Sequence, residues 1–155
     1  MDKSFVTETP GELLINAERD VTSLKVLLSK KYYPEDFMHA PICFHATMAV
    51  EKFLKSYIII NGKIIEKTHD LLYLLKAATK INISFEEIKN DCSLLNKFVP
   101  KIKYGEEIPI TKQDMNIIIR SLENICDFPP IKTIRDAFSQ KHKFKIIDET
   151  TDASS

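Results

Sequence analysis

Residues 45–55 read HATMAVEKFLK, and a second short run, His69-Asp70-Leu71, follows after a break. On a helix turning about 100° per residue, Ala46, Val50, Phe53 and Tyr57 fall within about 60° of one another, and Leu54 and Ile58 widen the stripe. That spacing predicts a helix with one side buried in a core. His45, Met48, Lys52 and Lys55 gather within about 80° on another side, with Glu51 just beyond them. Packing alone does not require this second set.

Helix signals surround the stretch. Thr9-Pro10-Gly11-Glu12 supplies a Thr cap, a Pro at the first helical position and a Glu placed for a capping box. Leu13, Ala17, Val21, Leu24, Leu27 and Leu28 then recur at three- and four-residue steps, predicting a first helix to about Lys31. A second helix starts near Pro41 and stops at Asn61-Gly62. Asn-Gly is also a hairpin signal, so a two-stranded ribbon in IIINGKII (58–65) is a rival there. Thr68 is placed to cap a third helix, Ser84-Phe85-Glu86-Glu87 to open a fourth through about Phe98, and Thr111 with Asp114 a fifth that ends before Pro129-Pro130. Residues 100–110 read as a loop.

Short connections make successive helices antiparallel neighbours. The expected fold is therefore all-α: an up-and-down antiparallel bundle of four to five main helices plus a short C-terminal helix. Residues 1–8 read as a flexible N-terminus, 9–127 as the bundle, and 128–155 as the short helix and a disordered tail.

Composition narrows the function classes. The 22 basic and 22 acidic residues of the 155 cancel, so any nucleic-acid site must be a local patch rather than a whole-molecule field. Cys43, Cys92 and Cys126 form no Cys-x-x-Cys pair, which predicts buried free thiols in a reducing compartment. The start, MDKSFVTETP, has no signal-peptide character, and YIIINGKII (57–65) is too short and too broken to span a bilayer. A cytoplasmic protein is expected. Gly11, Gly62 and Gly105 are the only glycines, so there is no Gly-rich phosphate loop, and His39, His45, His69 and His142 have no metal-ligand spacing. No metal or cofactor is expected.

Two readings of the polar face stand side by side. One is a solvated surface with a Glu51–Lys55 pair at i, i+4 worth about 0.2–0.5 kcal/mol. The other is a shallow anion site built by His45, Lys52 and Lys55 with His69 or Asp70 alongside. Lys offers a flexible point charge to phosphate, and His titrates near neutral pH.

The run FHATMAVEKFLKSYIIINGKIIEKTHDLLYLL (44–75) resembles the signature of HEPN domains (higher eukaryotes and prokaryotes nucleotide-binding). That signature reads His-x-x-Gln-Ala-x-Glu-Lys-x-Leu-Lys, a gap, then Thr-His-Asp-Leu. His45, Glu51, Lys52, Leu54, Lys55, Thr68, His69, Asp70 and Leu71 match it, and Met48 stands where Gln is usual. Ala17 and Asp20 in NAERDVTSL resemble the family's first helix, and Lys103-Tyr104-Gly105 keeps only the Tyr of an Arg-Tyr-Pro loop. The resemblance implies a helical bundle, commonly dimeric, that binds a nucleotide or RNA or partners a minimal nucleotidyltransferase in a toxin–antitoxin-type pair. It implies ligand contacts from His45, Glu51, Lys52, Lys55, His69, Asp70, Lys103 and Tyr104. Some members resemble metal-independent endoribonucleases with four to six residues between an Arg and a His, and Arg135 and His142, with six between them, fit that spacing as an alternative catalytic pair. Their position, after Pro129-Pro130 and beside the tail, departs from the family's usual placement. The reading therefore leans to binding rather than catalysis. A purely structural dimeric interaction domain is a further alternative.

Overall fold

The computed structural model describes residues 4–29, 38–99 and 110–142. Among them are six α-helices: α1 (Pro10–Ser29), α2 (His39–Ile60), α3 (Leu71–Ile81), α4 (Lys89–Asn96), α5 (Lys112–Asp127) and α6 (Pro129–His142), with a 3₁₀ segment at Ile83–Ile88 before α4. The fold is the expected all-α up-and-down bundle. No helix among the described residues is long and apolar enough to cross a membrane.

α2 is the axis of the bundle and packs against every other helix, most extensively α1. Its stripe is buried as the spacing predicts: Ala46, Val50, Phe53, Leu54 and Ile58 are sealed, and Tyr57 is partly buried against Phe85. Sealing one Leu, Ile or Phe side chain contributes about 1.5–3 kcal/mol. The stripe therefore holds the bundle together.

Local caps set where the helices start. Thr9 and Glu12 exchange the two bonds of a capping box, as do Thr111 and Asp114. Two expected starts differ from the structure. Thr68 lies too early to cap α3; its hydroxyl accepts from the Asp70 N–H, and the Asp70 carboxylate takes the N–H groups of Leu72 and Tyr73. Ser84 likewise yields to Asn82, whose side-chain oxygen receives both the Ser84 N–H and its hydroxyl. What Asn82 caps is the 3₁₀ segment, where positions i and i+3 eclipse, so Phe85 and Ile88 both enter the core.

Asn61-Gly62 ends α2 in a turn, with Gly62 at φ 77°, a conformation only glycine adopts without strain. No hairpin forms among the described residues there. The chain instead pairs with the N-terminal segment: the Val6 N–H donates to the Ile65 carbonyl and the Lys67 N–H to the Ser4 carbonyl, both at 2.9 Å.

Past α5 a single extended residue, Phe128, separates Asp127 from the Pro that opens α6. Ile131 and Phe138 of α6 are buried, and α6 packs against α1, α2 and α5.

Candidate functional site

The polar side of α2 lies between α1 and the start of α3. Facing α1, the Lys52 ammonium donates to Asp20 Oδ2 at 2.5 Å, and His45 Nδ1 lies 2.8 Å from Asp20 Oδ1. Facing α3, His69 Nδ1 lies 2.5 Å from Glu51 Oε1, and Lys55 Nζ lies 3.6 Å from Glu51 Oε2. Met48 lies between the two groups on the helix and is only partly exposed.

Each network is a carboxylate clasped by one Lys and one His. A carboxylate can only accept, so both imidazoles carry their proton on Nδ1. The carboxylates orient the two rings through Nδ1.

Burial separates these networks from an ordinary wet helix face. The Glu51 side chain is only 5% exposed and Lys55 10%, while His69 is 47% exposed. The Glu51–Lys55 pair exists, but it is largely sealed from solvent. Burying these charges costs more than an exposed pair returns, so each must be held by its partner. The networks also join helices of the bundle, because Asp20 ties α1 to α2 and Glu51 ties α2 to the α3 start.

The other expected site residues divide. Asp70 is committed to capping, and it also accepts from the Asn96 amide while Asn96 Oδ1 accepts the Leu71 N–H. Lys103 and Tyr104 lie outside the described residues. Arg135 is buried within the bundle: its Nε and Nη2 donate to Glu18 Oε1 and Oε2 at 2.6 and 3.1 Å, and its guanidinium stacks 5.2 Å from the Phe53 ring centroid. Burial alone would pull its pKa down; the Glu18 hydrogen bonds and charge more than offset that, so it stays charged. The side chain of His142, the other half of the alternative catalytic pair, lies outside the description.

Two acids were absent from the expected site. Asp20 is the hub of the α1-facing network; in the sequence it stands out only through the first-helix resemblance, and nothing local marks it as an acceptor for Lys52, thirty-two residues away. Glu18 has no local signal for a partner in α6. His39 serves structure alone, its Nδ1 bonding the Ile110 carbonyl in a buried position. Among the described residues no group of three His, Cys, Asp or Glu is placed to hold a metal ion.

The HEPN domain family model matches residues 11–132. The chain belongs to the HEPN domain family. It is also similar to a Methanocaldococcus jannaschii protein named "Putative toxin MJ1304", 27% identical over 168 aligned residues that cover 94% of this chain and 99% of the relative. No solved structure matches the chain. Within this HEPN bundle, the His and Glu-Lys of α2 and the His-Asp at the α3 start are the residues on which the resemblance rests. The structure brings His45, Glu51, Lys52, Lys55 and His69 to one side of α2.

Proposed function

We propose that the chain is a HEPN module of a toxin–antitoxin-type pair, and that the α2 side holds an anionic group of a nucleotide or RNA without cleaving it. Similarity to the toxin-named relative runs almost end to end in both chains, and this observation carries the pairing. The site reading is supported by four basic groups, His45, Lys52, Lys55 and His69, on one partly open side. Asp20 and Glu51 fix the positions of these groups. The partner in this reading is a minimal nucleotidyltransferase, and the module works in the cytoplasm as a homodimer.

The reading leans away from catalysis because Arg135 is occupied. A scissile phosphate on its guanidinium would have to displace Glu18 from a buried bidentate bond. One observation favours the endoribonuclease alternative: α6 is continuous from Pro129 to His142, and seven helical steps bring Arg135 and His142 to the same face.

The test has two arms. Expressed alone, the chain slows growth, and co-expression of the nucleotidyltransferase partner relieves it; unaffected growth removes the pairing. Incubated with RNA in EDTA, wild type and His142→Ala leave the RNA equally intact. Cleavage by wild type that His142→Ala abolishes replaces binding with catalysis.

A further inference from the structure

A second feature lies away from the α2 charges. Between residues 63–65 and the outer side of α3 runs a groove of about 710 Å³. Its floor is Ile58, Ile65 and Ala77, and its walls carry Ile64, Tyr73 and Ile81. Lys63 stands on one rim, and Lys76 and Lys80, one helical turn apart, stand on the other.

Three observations make this more than a wet surface. Ile64 is 79% exposed although its backbone neighbours are held by the Val6–Ile65 and Lys67–Ser4 hydrogen bonds, so a large aliphatic side chain is presented to solvent on a fixed segment. Tyr73 in the opposite wall is 42% exposed, so the groove presents apolar surface on both sides. Among the described residues no carboxylate lines the groove, and Lys63, Lys76 and Lys80 make no ion pair. On α2, by contrast, each lysine of the site has its acid.

We infer that this groove docks an acidic amphipathic helix of a partner protein. The occupant must bury isoleucines and bring carboxylates to both rims. A helix with apolar residues at i, i+3, i+4 and i+7 and Asp or Glu flanking them does both. RNA fits less well, because successive bases need several stacking rings and the groove offers one, Tyr73. A second copy meeting groove to groove about a two-fold axis would set lysine against lysine. This inference does not rest on anion binding by α2, which uses other residues.

The test replaces Ile64 by a photo-crosslinking amino acid in the full chain, irradiates the native cells, and sequences the attached peptide. The expected product is a segment of another protein with the acidic amphipathic pattern. Lys76→Glu with Lys80→Glu should lower its yield about tenfold while circular dichroism and the melting temperature stay unchanged. Placing Lys at the segment's acidic positions should restore the yield with the doubly reversed chain. Crosslinks only to another copy of this chain, to RNA or to a segment without acidic residues overturn the proposal. So does no crosslink at all, or a yield indifferent to the charge reversal.

Discussion

The bundle holds its buried carboxylates in two kinds of ion pair. Glu18 and Arg135, 117 residues apart, meet in a sealed bidentate pair stacked on Phe53. Asp20 on α1 and Glu51 on α2 instead hold a Lys and a His each, and their histidines reach solvent. Glu18 and Asp20 are two residues apart on α1, roughly 200° around the helix, which sends one toward α6 and the other toward the polar side of α2. Closure distinguishes the two kinds. Planar Arg meets both carboxylate oxygens at once, whereas Lys and His divide a carboxylate between them, one to each oxygen.

The sharpest way to break that contrast is Glu18→Ala. It leaves the Arg135 charge buried without a partner and should cost about 3–5 kcal/mol, read as a large drop in urea midpoint. A loss under about 1 kcal/mol, the value of an exposed pair, would show that solvent reaches Arg135 and that the two kinds of pair do not differ. Glu51→Gln tests the intermediate case. It removes the charge under Lys55 and His69 but keeps a hydrogen-bonding oxygen, so the loss should be smaller, about 1–3 kcal/mol by the same measurement.

Lys52→Ala should act least on stability and most on binding. Its side chain is 19% exposed, and His45 still holds Asp20 after the change, so the loss should be smaller than for the two acids. Calorimetric titration with a nucleotide should show weakened affinity against a nearly unchanged melting temperature. Coupled loss of folding would make Lys52 part of the scaffold.

The cysteines give a further contrast between sealed and open chemistry. Burial pushes the Cys92 thiol up to about 12, with the nearby Asp91 charge adding to it, and burial pushes Cys126 up to about 11. Both stay protonated in the folded chain where an unfolded thiol, at 9.0, would ionise. Their stabilising contribution is therefore complete below pH 9.0 and is lost as pH rises through about 11 and 12. Denaturation midpoints should fall across that window, and Cys92→Ala should flatten the fall. Thiol reagents at pH 8 should label these two residues only as fast as the chain opens.

Legibility followed distance along the chain. The capping boxes at Thr9 and Thr111 need residues three apart, and both formed as their spacing predicts. The α2 stripe follows from a single helical period. Thr68 and Ser84 misled because several nearby polar residues can cap, and the choice between Thr68 and Asp70 depended on where Leu71 enters the core and on Asn96 arriving from α4. At the site, His45, Lys52, Lys55 and His69 were nameable because the resemblance is local to α2 and the α3 start. Their carboxylate partners were only partly so: Glu51 lies on the same helix, but Asp20 comes from another.

The sequence by itself determined that the chain is a HEPN-type helical bundle, where most of its helices begin, and which side of α2 is polar. Periodicity, capping and a short motif are properties of neighbouring residues, and they survive without tertiary contacts. Tertiary structure alone decided that the α2 lysines are clasped by Asp20 and Glu51, that Arg135 is sealed by Glu18, and that the lysines beside α3 line an apolar groove without an acid. A charge acquires its role from what faces it, and what faces it here comes mostly from another part of the chain, brought close only by burial of the core.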